Sequence, residues 1–212
     1  MNTTQDSQSL IKRTSKTFIE KTLLLNPNWN ILDIGCGYGA NKYAKTICDV
    51  QDLSKYYPNK KFVKLIEKKL PFKDKEFDFV IASHVMEHVE DVEIFIKELE
   101  RVSNKGYIEL PTKLEDNLIF ENKKDHLWHM DFDDVELKLL ISKKTQYFEP
   151  ILSVSSIKKL NEVFRKSFIL ELFWENNIDY VINNVENEKF EKISILNLFK
   201  KYFSKKLRMF LK

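Results

Sequence analysis

The chain of 212 residues is poor in the residues that punctuate and staple folds: it has 4 glycines, 5 prolines and 2 cysteines. It also lacks a dominant charge, with a formal net charge of +3. No apolar run approaches the roughly 20 residues of a membrane-spanning helix, and the polar stretch from Met1 to Ser9 lacks the apolar segment of a secretory signal. Each absence excludes something. Two cysteines, Cys36 and Cys48, with no C-x-x-C partner rule out a disulfide framework and fit a reducing, cytoplasmic setting. A net charge of +3 is too mild to imply nucleic acid by itself. With so few glycines, their placement carries information: three of the four stand at 35, 37 and 39, where an apolar run ending in Asp33 opens into a tight turn.

What is present fits one globular core. Hydrophobic residues make up 43% and charged residues 32%. The charge is unevenly spread, because Lys192–Lys212 holds seven basic residues and no acidic one, leaving the remainder at −4. The expected organisation is a disordered tail at 1–8, a single domain over 9–190 and a basic amphipathic helix over 191–212. Apolar spacing predicts a helix over 9–25, ended by Asn26, Pro27 and Asn28. Strands are predicted over 29–33, 46–50, 61–66 and 77–82, with a short helix over 40–45 after the glycine turn. Asp91 is the expected N-cap or first-turn acid of a helix over 91–102. Gly106 is expected to take a positive φ in the turn into a strand over 107–110, which Pro111 stops.

This order of strands and helices is that of an α/β Rossmann-like open sheet, mostly parallel, with helices on both faces. Beyond Pro111 a polar stretch over 112–132 carries His126, Trp128 and His129. A hairpin of strands over 135–141 and 145–152 is predicted next, then a helix over 156–165. Antiparallel strands over 168–174 and 178–185 come after it. The end of the chain places Ile193, Leu196, Phe199, Phe203, Leu207 and Phe210 at helical spacing among lysines.

A strand running into a glycine-rich turn and a helix N-terminus puts backbone N–H groups against a nucleotide. The dinucleotide fingerprint is G-x-G-x-x-G, whereas Gly35, Gly37 and Gly39 form G-x-G-x-G, which fits a nicotinamide oxidoreductase poorly. Gly39-Ala40-Asn41 lacks the Lys-Ser/Thr ending of a phosphate-binding loop.

The run Ile31-Leu32-Asp33-Ile34-Gly35-Cys36-Gly37-Tyr38-Gly39 resembles motif I of class I S-adenosylmethionine-dependent methyltransferases of the type 11-like kind. Leu70-Pro71-Phe72 with Phe77-Asp78-Phe79-Val80 resembles the family's approach to its fourth strand. The segment from Ser83 to Val89 resembles the loop after that strand, and Glu98-Leu99, Arg101-Val102 and Gly106 resemble the next helix and turn. The resemblance covers about 80 residues and implies the fold and S-adenosyl-L-methionine as cofactor. It implies that Gly35, Cys36, Gly37 and Gly39 pass close to the methionyl and ribose parts and that Asp33 lies near the cofactor's amino group. Asp49, with Asp52 as fallback, is implied to meet the ribose hydroxyls. Ser83 and His84 lie beyond the fourth strand, at the cleft.

Two departures stand out. The first crossover is near the lower limit for a parallel connection, and Ile66 stands where an adenine-binding acid is usual, with Glu67 beside it.

Methyl transfer from a sulfonium is an in-line displacement, for which the protein mainly positions the reactants. His126 and His129 are the expected catalytic bases for an acceptor proton. Asp125, His126 and His129 raise a metal reading, but with no cysteine or further close histidine in support, no metal is expected. The expected acceptor is a small or saccharide-like molecule enclosed by a lid over 112–165. The basic C-terminal helix allows peripheral contact with a membrane surface or packing on the core, the latter preferred. A nucleic-acid acceptor is disfavoured. The alternative class is a non-catalytic binding protein that keeps the fold without acceptor chemistry.

Overall fold

The computed structural model describes residues 9–183 and 194–210. The tail over 1–8 and the chain ends of the last two predicted elements lie outside the described residues. Seven strands form the main sheet, in the order β1-β9-β6-β5-β2-β3-β4. They are β1 (Leu10–Arg13), β2 (Ile31–Ile34), β3 (Thr46–Asp49), β4 (Lys61–Lys64), β5 (Phe79–Ser83), β6 (Lys105–Pro111) and β9 (Ile169–Glu175). The five from β4 to β6 run parallel, and β9 and β1 close the edge antiparallel.

Because side chains alternate across a strand, each central strand feeds two cores. Leu32, Ile34, Val80, Ala82, Ile108 and Leu110 pack with the helix α2 (Val92–Val102). Ile31, Ile47, Phe79, Ile81 and Tyr107 face the helix α1 (Lys16–Leu25) through Ile19 and Leu23. Asp91 caps α2 as expected, accepting from the Ile94 N–H at 3.0 Å. Glu98 and Arg101 of this helix hold the Leu70-Pro71-Phe72 segment. The Leu70 N–H donates to Glu98 at 2.7 Å, and the Arg101 guanidinium donates to the Leu70 and Phe72 carbonyls. These two separated pieces of the family resemblance are thus a single contact.

Several local expectations change. The predicted helix over 9–25 is a strand followed by a helix. Ser15 is extended, and its hydroxyl accepts from the Phe18 N–H, so α1 starts only at Lys16. The segment before it pairs Ile11 with Trp174 of β9. No helix forms over 40–45. The Asn41 side chain accepts from the Tyr43 N–H at 2.9 Å, and the Lys60 ammonium binds the carbonyls of Asn41 and Ala44, so backbone groups that a helix would use are taken. Gly106 does not have a positive φ. It is needed for space, since a Cβ there would lie 2.5 Å from the Val80 carbonyl oxygen and 2.8 Å from Trp174 Nε1.

After β6 come α3 (Lys113–Leu118), α4 (Asn122–Asp125) and a hairpin of β7 (Trp128–Asp133) and β8 (Lys138–Lys143). The hairpin lies earlier than predicted because Trp128, Met130 and Phe132 alternate inward from what reads as a polar stretch. Helix α5 (Val154–Phe168) runs directly into β9. The strand β10 (Tyr180–Asn183) pairs parallel with β8 in a small second sheet, rather than antiparallel with β9. The last helix, α6 (Ile195–Phe210), has no buried residue, so the packing of its apolar face on the core is not realised. No described helix is long and apolar enough to cross a membrane.

Candidate functional site

The carboxyl ends of β2, β5 and β6, with the first turns of α1, bound a cavity of about 450 Å³. Its floor is the glycine turn. Gly35 has φ +63°, and a Cβ on it would lie 2.4 Å from Val85 Cγ2; Gly37 has φ +48°. The turn is tied down from three sides. The Gly35 and Cys36 N–H groups donate to the Cys48 carbonyl, the Gly37 N–H donates to Asp49 Oδ2 at 2.9 Å, and the Tyr57 hydroxyl donates to the Gly37 carbonyl at 2.8 Å. Asp33, buried, accepts from the Asn41 N–H at 2.6 Å. Burial raises its carboxyl to about 6, against the lowering effect of that hydrogen bond and of Lys60 and Lys16. Burial also pushes the Cys36 thiol up to about 12, which leaves it inert as a nucleophile.

The opposite wall is charged. His84, at φ +54° with a side chain 41% exposed, has Nδ1 3.2 Å from Glu87 Oε1 and Nε2 3.4 Å from Glu109 Oε1. Burial opposes its charge, but Glu109 and Glu87 outweigh it and raise its pKa to about 10. His84 is therefore a cation at neutral pH, a hydrogen-bond donor rather than a base. Behind it, Glu109 stands directly opposite Glu171 in the β6–β9 ladder. Two like charges there would repel, and the Arg165 guanidinium resolves the conflict by reaching both at 2.9 Å. The Tyr107 hydroxyl lies 2.7 Å from Glu109 and 2.8 Å from Glu171. Burial alone would raise the Glu109 carboxyl, yet His84, Tyr107 and Arg165 hold it down at about 2.

The predicted site residues divide in two. Asp33, Gly35, Cys36, Gly39, Ser83 and His84 line the cavity. Gly37 and Asp49 do not line it, and both Asp49 oxygens accept backbone N–H groups, from Gly37 and Gln51. Glu67 lies in a separate surface depression beside Ile66, which is 89% exposed. His126 and His129 do not line the cavity, nor does any residue of 112–165. Asp116, 1% exposed, draws both histidines inward: its oxygens lie 2.6 Å from His126 Nδ1 and 2.8 Å from His129 Nε2, with Lys144 Nζ at 2.9 Å. These partners stabilise the buried carboxylate against the cost of its burial and hold it well below the usual range. The two histidines expected as bases thus lie in a buried polar cluster outside the cavity.

Tyr57, Tyr107, Glu109, Arg165 and Glu171 were not predicted as site residues. Glu109 and Glu171 did carry a signal, as acids flanked on both sides by apolar residues within their strands.

The cavity suits S-adenosylmethionine on this chain's own features. The glycine turn provides a floor without side chains, and a Cβ on Gly39 would meet nothing within 4 Å. The buried Asp33 carboxylate suits a ligand that carries positive charge.

Comparison with known proteins agrees with this. The family described as a methyltransferase domain matches residues 6–180. A comparison with curated protein sequences finds no significant match. Solved structures similar to the chain include the YcgJ protein of Bacillus subtilis, at 21% identity over 44% of this chain and 51% of that chain, with a TM-score of 0.36. Others are a SAM-dependent methyltransferase of Aquifex aeolicus, at 15% identity over 74% and 87% with a TM-score of 0.41, and a possible histamine N-methyltransferase of Thermotoga maritima, at 15% over 74% and 87% with a TM-score of 0.42. These likenesses are distant, and it is the family match over most of the chain that decides: the protein belongs to the class I S-adenosylmethionine-dependent methyltransferases.

Proposed function

We propose that this methyltransferase modifies a hydroxylated, saccharide-like small molecule held in the cavity between the glycine turn and the His84–Tyr107–Glu109 wall. The observation that carries the reading is that wall. It is polar, it is fixed by a closed network of ion pairs, and it faces the floor on which the cofactor would lie. Gly35, Cys36 and Gly39 would let the cofactor lie close against a turn whose own N–H groups are bonded within the protein, and Asp33 would attract its positive charge. Bound there, S-adenosylmethionine supplies a methyl group already activated by the sulfonium. The chain's own contribution is placement. Glu87 and Glu109 take both ring N–H groups of the protonated His84 and fix it as part of the charged wall against which the acceptor would be placed.

Calorimetry with S-adenosylmethionine, followed by mass spectrometry of sugars and other polyhydroxylated metabolites incubated with enzyme and cofactor, tests this. Cofactor binding with a mass gain of one methyl group on a hydroxylated compound supports the reading. Methylation confined to amines, or to nucleic acid, overturns the acceptor class. Cofactor binding with no transfer to any acceptor favours the non-catalytic alternative.

A second reading concerns where the enzyme works. The α6 helix exposes Phe199, Phe203, Leu207 and Phe210 between its lysines, the composition of a helix that lies in a membrane interface. Co-sedimentation with anionic and with neutral vesicles tests it, and equal recovery in the supernatant with both would exclude it.

A further inference from the structure

Beside the cleft, on the far side of Glu87 from His84, three side chains converge whose chemistry the methyl-transfer reading does not use. Glu87, His88 and His126 each offer a donor atom, and these atoms lie within 4.8 Å of one another. Glu87 is 1% exposed; its Oε1 contacts His84, while its Oε2 is buried without a hydrogen-bond partner. An unpartnered buried carboxylate oxygen is costly and calls for an explanation.

The two histidines meet this oxygen from separate segments. His88 Nδ1 lies 2.9 Å from the Asp125 carbonyl oxygen. A carbonyl only accepts, so Nδ1 carries the proton and the lone pair of the neutral ring is on Nε2. His126 Nδ1 lies 2.6 Å from Asp116 Oδ1 without the alignment of a hydrogen bond, so this buried nitrogen, like Glu87 Oε2, has no hydrogen-bond partner. The two rings stand edge to face, with centroids 4.5 Å apart. The backbone already joins the two segments, through the Leu127 N–H donating to the Glu87 carbonyl at 2.8 Å. A histidine with one nitrogen anchored on a carbonyl and the other presented, as His88 is, is the arrangement found around bound metals.

We propose that Glu87, His88 and His126 form a binding site for a divalent transition metal of the zinc type, with Glu87 Oε2, His88 Nε2 and a ring nitrogen of His126 as ligands. Two imidazoles and a carboxylate suit such an ion. Bonds of about 2.1 Å set tetrahedral donors about 3.4 Å apart, a closure within reach of rotation about the His88 side-chain torsions. His88 is exposed and leaves a coordination position open to solvent. The ion would fasten the loop that carries His84 to the segment preceding β7. This site does not rest on the identity of the acceptor, nor on the activity.

The test uses the full, tag-free chain. Co2+ is titrated while its visible d–d bands are followed, and Zn2+ stoichiometry is measured by equilibrium dialysis. The expected result is one ion per chain, with the band intensity of a low-coordinate site. Because His88 is exposed, His88→Ala is expected to fold as wild type by circular dichroism while binding weakens roughly 10–100-fold. Glu87→Gln provides an independent loss of a ligand. Absence of stoichiometric uptake by the wild type, or uptake by folded His88→Ala with unchanged affinity and spectrum, overturns the site.

Discussion

Asp33 joins floor and chemistry in one residue. Its carboxyl is raised to about 6 from an ordinary 3.8, chiefly by burial. Below that pH it is neutral and offers nothing to a cationic ligand. Affinity for S-adenosylmethionine should therefore fall as pH drops below 6, approaching tenfold per unit, and calorimetry across pH 5–8 checks it. Asp33→Asn should bind weakly throughout and show a flat profile. Gly35 is constrained by two features at once, its φ of +63° and the Val85 methyl that a Cβ would meet. Gly35→Ala should lose about 1 kcal/mol or more of stability together with cofactor binding, whereas alanine at the open Gly39 should be tolerated structurally. The buried histidines give the opposite separation of effects. Asp116→Asn strands two histidines and Lys144 without their carboxylate, so a loss of about 3–5 kcal/mol in urea denaturation is expected. Turnover per folded molecule should stay near wild type, and a large fall in turnover at unchanged stability would restore His126 and His129 to the chemistry.

Among the elements, the glycine turn departs most from the generic picture. It does not run into a helix, so no helix dipole assists ligand binding there. The backbone is held instead by Asp49, Tyr57 and Lys60. The elements that were legible in the chain were those with strong local periodicity or a local cap: β2, β5, α2 and the strand before Pro111. What escaped depends on distant partners. Leu10 and Ile11 fit a helical stripe equally well, and only pairing with β9, some 160 residues away, makes them strand. The period-two pattern of Trp128, Met130 and Phe132 was readable, but the polar residues between them give the segment the look of a loop with reactive histidines. Nothing local announces that Asp116 and Lys144 would draw those histidines into a buried cluster. Within the site, the cleft residues on the motif were legible because the motif is contiguous. Arg165 was not, since its role exists only where β6 and β9 place two glutamates opposite each other. The α6 helix buries none of its residues, so deleting 195–212 should leave the stability measured in urea within about 0.5 kcal/mol of wild type.

Across the whole molecule, the wall of the cleft is also a clamp on the sheet. His84 comes directly after β5, Glu109 and Tyr107 are on β6, Glu171 is on β9, and Arg165 is on α5. Through Glu109 and Glu171 the ion pairs run from the parallel centre of the sheet into its antiparallel edge. Stability should consequently depend on pH at both ends. The folded-state pKa of His84, about 10, lies above the ordinary 6.5, so its contribution is fully present below 6.5 and is lost as pH rises through 10. Glu109, depressed to about 2 from 4.5, contributes above 4.5, and that contribution is lost as pH falls through 2. Other lysines and tyrosines also titrate at high pH, so the informative quantity is a difference. Urea midpoints of wild type and His84→Gln should be farthest apart between about pH 4.5 and 6.5, where His84 and Glu109 are both charged, still apart at pH 7, and should converge as pH approaches 10.5. A constant gap across that range would mean that His84 supports the sheet by packing alone and that its charge is not what joins the cleft wall to the antiparallel edge.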